Sequence, residues 1–325
     1  MTTAKTVAVV DIGTNSVKLT VARRDIGGGL TILFDGTAIT RLGEGVNRTG
    51  RIADDAAKRT LATLTGFGER ARSLGAESIA AVGTSALRDA TNGAGFILEA
   101  EKRLGGTVEI ISGEREAQLT YRAARRDPEI GRTVGNADGL LFLTTDIGGG
   151  STEVVQGVDD DVIYAESLQI GAVRLSERAG LLTDSITGDA FRTAVLLADV
   201  ALADVPVPPA ALAPVLIASG GTAANLAAME ITARSGSSGS GNAATFEAVH
   251  ASRLSREQIE ARTAYLASLP LAERRAVPGL EPDRADVIVA GAIIQGRVMA
   301  RLGVDSLIVS LRGLRYGLLY ELLGA

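Results

Sequence analysis

Two short segments of this 325-residue chain carry residue types that could grip a phosphate group. Residues 11–19 read DIGTNSVKL and residues 146–154 read DIGGGSTEV. Aligned without gaps, they match at Asp11/Asp146, Ile12/Ile147, Gly13/Gly148 and Ser16/Ser151. Each copy follows an apolar, strand-like run and precedes another, so each reads as a strand–turn–strand loop. Glycines in such a turn allow positive φ and let the backbone come close to a ligand. Successive N–H groups through Gly13, Thr14 and Asn15, and through Gly148, Gly149 and Gly150, would form a nest for an anion. The hydroxyls of Thr14, Ser16, Ser151 and Thr152 add donors. An aspartate ending the preceding strand, Asp11 or Asp146, can hold Mg²⁺ directly or through water. Neither loop is a P-loop, because the chain contains no Gly-Lys pair. One glycine hairpin alone could be an ordinary turn. Two in matching context point to phosphate binding.

Three further segments carry candidate chemistry. Gly220, Gly221 and Thr222 lie between a strand near 214–217 and a helix from 221. That reads either as a tight strand-to-helix turn or as an anion site at a helix N-terminus. In Ser112-Gly113-Glu114-Arg115-Glu116-Ala117, carboxylates in a first helical turn suit the helix dipole. Beside two phosphate loops, a glutamate there could also act as a general base for water. Arg88, within Gly83–Asp89, is either a surface residue or a bidentate partner for phosphate. The single histidine, His250, is assigned no role, and the aspartates at 159–161 read as a solvated turn.

The elements that must position these residues alternate. Strand-like runs fall near 7–11, 17–23, 30–39, 78–83 and 107–111, with helical periodicity near 54–74, 94–104 and 114–126. A polar stretch from Arg125 to Gly139, containing Pro128, marks a domain boundary. Strands then fall near 140–145, 152–157 and 161–168, and helices near 171–180, 187–204, 221–230, 255–268 and 283–302. A strand near 306–310 and a helix near 313–323 end the chain. Segment 235–241, SGSSGSG, reads as flexible loop. The alternation predicts an α/β fold. Two similar domains, 1–126 with 312–325 packed back on it and 127–311, would face each other across a cleft.

Composition narrows the function. The chain has no cysteine and one histidine, which excludes disulfides, thiolate metal sites, cysteine nucleophiles and His-rich zinc sites. Aromatic residues make up 3% and none is tryptophan, which argues against a base-stacking surface. The net charge of −5 argues against general nucleic-acid binding. Residues 1–126 carry +4 and the remainder −9, so the first half could attract an anion locally. No signal peptide or membrane-length apolar segment is visible, and a cytoplasmic location is expected.

At these residues the sequence resembles the exopolyphosphatase/guanosine pentaphosphate phosphohydrolase (Ppx/GppA) family of the actin-like superfamily. The resemblance runs from DIGTNSVKL through RLGEG (41–45), GTSALRDATN (83–92), ISGEREAQL (111–119) and DIGGGSTEV. It continues through GAVRL (171–175), ASGGTAANLA (218–227), RADVIVAG (284–291) and VSLRGLRYGLLYELL (309–323). It implies a ribonuclease-H-like fold in both domains and Mg²⁺-dependent release of terminal phosphate. The substrate would be inorganic polyphosphate or guanosine pentaphosphate. The family's base falls on Glu116, its metal-binding carboxylates on Asp146 and Glu153 with Asp11 opposite, and its arginine on Arg88. Lys18 or Arg41 would join Arg88 in gripping the remaining anion.

The sequence departs from the family pattern at Arg115, where an acidic residue is usual, and at Tyr316, where GLREG reads GLRYG. The chain stops short of the C-terminal helical domains of long members, which suggests short-chain polyphosphate or a nucleotide. An ATP-dependent kinase and a non-catalytic alarmone sensor are the rival readings. No nucleic-acid or membrane partner is expected, and a homodimer is left open.

Overall fold

The structure, a computed structural model, describes residues 5–25, 29–135, 139–209, 212–235 and 244–324. Apart from Ser235, the expected flexible segment 235–241 lies outside the described residues. The chain divides into two compact units, Met1–Leu119 with Leu314–Ala325, and Thr120–Gly313.

Unit 1 is built on strands β1 (Thr6–Ile12), β2 (Ser16–Arg24), β3 (Leu30–Ile39), β4 (Ser78–Gly83) and β5 (Thr107–Ile110). They form one sheet in the order β3-β2-β1-β4-β5. β1–β2–β3 run antiparallel, and β1–β4–β5 run parallel. Every residue of β1 is buried, as its near-continuous apolar run requires of a strand covered on both faces. Helices α1 (Val46–Thr49), α2 (Asp54–Ser73), α3 (Ser85–Asp89), α4 (Gly93–Leu104) and the first half of α5 (Gly113–Arg125) complete the crossovers.

Unit 2 opens with the rest of α5 and α6 (Pro128–Val134), then β6 (Leu141–Ile147), β7 (Thr152–Val158) and β8 (Asp161–Leu168). α7 (Ala172–Ala179), α8 (Gly188–Leu202), β9 (Val215–Ser219) and α9 (Gly220–Arg234) follow. The unit continues with α10 (Phe246–Val249), β10 (Arg253–Ser255), α11 (Arg256–Ser268), α12 (Leu271–Arg275), α13 (Ile288–Leu302) and β11 (Ser306–Val309). The sheet order is β10-β11-β9-β6-β7-β8. β6–β7–β8 are antiparallel, and β6–β9–β11 are parallel. Each unit therefore has a three-strand meander continued by two parallel strands, the ribonuclease-H-like order expected of both. β10 is an added edge strand of unit 2.

Two sequence expectations differ from the structure. The polar stretch expected to be a linker is largely α6. The Asp127 carboxylate caps it, accepting from the Glu129 and Ile130 amides at 2.9 and 3.3 Å, and Pro128 sits at its start. The two compact units meet within α5, after Leu119. The helix expected from 283 begins at Ile288, after a 3₁₀ turn at Pro282–Arg284. Proline disfavours helix at Glu281. The buried Arg274 guanidinium also draws off the Ala285 carbonyl at 3.0 Å.

The C-terminal helix α14 (Leu314–Leu323) belongs to unit 1. Its Leu319 and Leu323 pack on Val7, Val9 and Ala22. Arg315 donates to Thr20 Oγ1 and Asp35 Oδ1, and the Tyr316 hydroxyl donates to Asp35 Oδ2 at 2.8 Å. This accounts for the departure at Tyr316: a glutamate there would set a second carboxylate against Asp35. A Cβ on Gly317 would overlap the Leu119 carbonyl oxygen. Gly317→Ala gains roughly 1 kcal/mol of helix propensity, but overpacking against fixed backbone costs about 1–3 kcal/mol. We expect Gly317→Ala to lower the urea midpoint; a raised midpoint would show that α14 is not held this closely.

No helix among the described residues is long and apolar enough to cross a membrane.

Candidate active site

In unit 1 the parallel strands bring three candidate segments to one end of the sheet. The turn 13–15 follows β1, α3 follows β4 and α5 follows β5. Hydrogen bonds staple these ends together, from Thr84 N to Ile12 O (3.3 Å) and from Ile111 N to Gly83 O (3.1 Å). Carboxyl ends of parallel strands are where open α/β sheets bind ligands. In unit 2 the turn 148–151 and α9 occupy the same end of β6 and β9.

The two repeated loops share one geometry. Gly13 N donates to Ser16 O at 3.0 Å, and Gly148 N donates to Ser151 O at 3.0 Å. The segment after the third strand then ties down each loop's carbonyls. Thr14 O accepts from Gly43 N, and Asn15 O from Thr40 N and Arg41 N. Gly148 O accepts from Ala172 N, and Gly149 O from Val173 N and Arg174 N. Arg174 Nε also takes Gly150 O at 2.7 Å. The amides of Thr14 and Asn15, and of Gly149, Gly150 and Ser151, donate to no partner among the described residues. Both turns thus turn their N–H groups outward, as an anion nest requires.

The glycines serve this geometry in a different way from that expected. Gly13, Gly148, Gly149 and Gly150 have no positive φ. Close approach constrains Gly13 instead, and in unit 2 Gly171, which packs on the turn. A Cβ on Gly13 would stand 2.9 Å from Ser16 O, and one on Gly171 would stand 2.6 Å from Gly149 O. Of the candidate glycines 13, 148, 149, 150, 220 and 221, it is Gly220 that is left-handed, with φ 91°. A Cβ there would lie 2.5 Å from Asp146 Oδ1, and one on Gly313 would lie 3.1 Å from Oδ2. Among the non-glycines, Arg41 is left-handed, with φ 55°, where RLGEG folds back on the first loop.

The loops differ in charge. Asp11 faces Lys18 across β1 and β2, with Nζ to Oδ2 at 3.7 Å. At the same register in unit 2, Asp146 faces Glu153. Glu153 is buried, and Oε1 accepts from the Ser167 hydroxyl at 2.7 Å. Among the described residues, no three or more His, Cys, Asp or Glu side chains are grouped closely enough to hold a metal.

Arg88 and Glu116 meet directly in unit 1. Arg88 Nη1 donates to Glu116 Oε2 at 2.8 Å and to Ile111 O at 3.0 Å. Arg88 Nη2 and Asn15 Nδ2 are buried donors without a hydrogen-bond partner. On the far side of the α5 first turn, Arg115 pairs through both nitrogens with Glu321. Glu116 and Arg88, expected as base and anion grip, are thus an ion pair, a link that separate motifs do not reveal.

At the third glycine loop, the Arg284 guanidinium packs on Gly221, filling the space of a Cβ. Its Nε is held by Glu281 Oε2 at 2.6 Å. Thr222 lies against Gly291, which places its hydroxyl inside the helix packing. Sequence reading gave Arg284 no role of its own; glycine followed by a small residue carries no signal of what packs there.

His250 lies outside these loops, wholly buried in unit 2. It accepts from Leu311 N at Nδ1, and its Nε2 is 3.2 Å from Asp127 Oδ2. Arg312 bridges Asp127 and Glu129. Burial alone would raise the Asp127 carboxyl, but His250, Arg312 and the Glu129 amide hold it below the usual carboxylate range.

Two α/β units, each with the same strand–turn–strand loop at the carboxyl end of its parallel strands, have the architecture of the actin-like class. The Ppx/GppA phosphatase family matches residues 20–325, and this chain belongs to it. It is 35% identical to exopolyphosphatase 2 of Mycobacterium tuberculosis, over 98% of each chain. It is 29% identical to the guanosine-5′-triphosphate,3′-diphosphate pyrophosphatase of Photobacterium profundum, covering 97% of this chain and 59% of that protein. A crystal structure of an exopolyphosphatase-like protein superposes with a TM-score of 0.87, 32% identity and 98% coverage of both chains. The chain is accordingly a hydrolase of the phosphatase type.

Gly220→Ala adds a Cβ at left-handed backbone and pushes it onto Asp146. Misplacing a reacting-site group by about 1 Å can cost ~10²-fold in rate. We expect a loss of that order in phosphate release with the fold retained by circular dichroism; wild-type turnover would show that Asp146 need not stay where Gly220 puts it.

Proposed function

We propose that the chain releases terminal orthophosphate from inorganic polyphosphate. The observation that supports this most is the set of donors without partners. In unit 1 the amides of Thr14 and Asn15 with the buried Asn15 Nδ2 and Arg88 Nη2, and in unit 2 the amides of Gly149, Gly150 and Ser151, are donors suited to phosphate oxygens. Unpaired buried donors cost about 1–3 kcal/mol each, so a bound oxyanion is a natural partner. The relatives named exopolyphosphatase favour polyphosphate. The Photobacterium relative favours guanosine pentaphosphate as the second reading.

A divalent cation fits unit 2. Asp146 and Glu153 are cross-strand neighbours, so both side chains project from the same face. The backbones of Gly220 and Gly313 close around the two Asp146 oxygens, a cradle that a Cβ would fill. Asp146 and Glu153 would hold Mg²⁺, with water and phosphate completing its oxygen shell. Asp11, expected as a third ligand, stays outside this set because Lys18 already neutralises it. Bound there, the ion would offset charge on the transferring phosphoryl oxygens.

This chain's own groups do the rest. Arg88 fixes the Glu116 carboxylate, which accepts a proton from the attacking water. The water oxygen forms a bond to the terminal phosphorus as the bridging P–O bond breaks. The electron pair leaves on the shortened chain, and the outward amides, Lys18 and Arg41 stabilise the oxyanions. Phosphoryl transfer depends mainly on such positioning and electrostatics.

Glu116→Gln keeps the shape and removes the base, so kcat should fall by ~10²–10⁴ with KM little changed. Activity close to wild type would remove Glu116 from the role. Asp146→Asn should raise the Mg²⁺ concentration needed for half-maximal rate and recover in part at high Mg²⁺, because an amide is a poorer ligand for a hard cation. An unchanged Mg²⁺ requirement would take Asp146 out of the metal site. Phosphate release measured side by side on polyphosphate and guanosine pentaphosphate decides between the two substrates; release from neither would refute both.

A further inference from the structure

We infer that His250 is a positioning residue for Asp146: its neutral imidazole holds the segment 310–313, whose Gly313 closes on the Asp146 carboxylate. The inference rests on the proposed metal site at Asp146. The segment leaves β11 where its amides run out of strand partners. Ser310 N still donates to Ala218 O at 2.8 Å, and Arg312 N donates to the Ser310 hydroxyl at 3.1 Å. Between them, Leu311 N donates to His250 Nδ1 at 3.2 Å. Gly313 follows, so close to Asp146 that a Cβ on it would lie 3.1 Å from Oδ2. Asp146 has further interactions; His250 governs the wall that Gly313 forms beside it.

An amide turned away from the sheet needs an acceptor that stays in place, and the surroundings of His250 keep it there. Its side chain is fully buried and lies against the Phe246 ring, with 5.1 Å between centroids. Its backbone ends α10, donating to Phe246 O at 2.8 Å. The next residue, Ala251, is left-handed at φ 59°, a conformation that alanine holds only where its surroundings impose it. Ala251 N donates to Val309 O and Val309 N to Ser252 O, both at 2.8 Å. The strand that launches the segment therefore also fixes the histidine that receives it. Because Nδ1 accepts, the ring proton sits on Nε2, which lies 3.2 Å from Asp127 Oδ2 and 3.9 Å from Glu129 Oε2. Arg312 spans the same two carboxylates, at 3.1 and 3.2 Å. A lysine or arginine at 250 would offer Leu311 no acceptor, and a carboxylate would add a third negative charge. Neutral imidazole meets both demands.

The single histidine makes the first measurement direct. In the untagged, ¹⁵N-labelled chain, long-range ¹H–¹⁵N correlation of the one imidazole should show Nε2 protonated and Nδ1 bare at the pH of turnover. A proton on Nδ1 overturns the inference. The second measurement is the Mn²⁺ affinity of the full chain by electron paramagnetic resonance, without substrate. In His250→Asn the side-chain oxygen takes the place of Nδ1 and can still accept Leu311 N. In His250→Gln the amide reaches the place of Nε2 and leaves Leu311 N without an acceptor. Both lose the ring packing on Phe246, so both should melt earlier than wild type. Only His250→Gln should weaken Mn²⁺ binding, by roughly tenfold, the lower end of what loss of an outer-shell partner costs. Equal affinity in the two variants, weakened or not, overturns the inference. If His250→Gln does not fold, weakened binding in His250→Asn overturns it and wild-type binding upholds it. Asp146→Asn separates this from the metal site on which it rests: wild-type Mn²⁺ binding in that variant would refute the site. The placement of Gly313 is then read from its own amide resonance, which should move further in His250→Gln than in His250→Asn; equal shifts would overturn the role of His250.

Discussion

A peptide unit can present its N–H to an anion only if its carbonyl is turned away and satisfied elsewhere. Both repeated turns are built around that constraint. In each, the chain leaves the third strand of the meander and donates its next amides to the carbonyls of the turn. Arg41 adopts a left-handed backbone to do so in unit 1. In unit 2, Gly171 must be glycine because its Cα lies against the Gly149 peptide. The RLGEG and GAVRL segments are therefore as much a part of these turns as the glycines themselves.

Much of this was legible in the sequence, because strands buried on both faces read as apolar runs and the repeat DIG…S marks two equivalent turns. The α/β alternation followed from those signals, and the resemblance to the Ppx/GppA family implied the two ribonuclease-H-like sheets. What composition could not convey is the use to which a polar residue is put. Asp127 and Pro128 look like linker residues, yet they cap α6, and Asp127 meets His250 and Arg312 in the interior. The turn glycines suggested positive φ, whereas Gly13 is constrained by close backbone packing and, of the site glycines, it is Gly220 that is left-handed. The Arg88–Glu116 ion pair joins segments 28 residues apart, and no local pattern encodes it.

The departures from the family pattern have local partners. Tyr316 donates to Asp35, which also receives Arg315, so a hydroxyl suits the place better than a carboxylate. Arg115 pairs with Glu321 and tethers the α5 first turn to α14. Both substitutions hold the C-terminal helix to unit 1, and neither removes the Arg88 contact to Glu116. They are compensated within the unit.

The central claim is that the outward amides of the repeated turns bind phosphate. The most direct measurement is a titration of glycine-selectively ¹⁵N-labelled protein with orthophosphate in Mg²⁺, followed by amide NMR. The account predicts saturable shifts at Gly149 and Gly150, with Gly303 at the end of α13 unmoved. Unshifted Gly149 and Gly150 in a preparation that hydrolyses polyphosphate would contradict it.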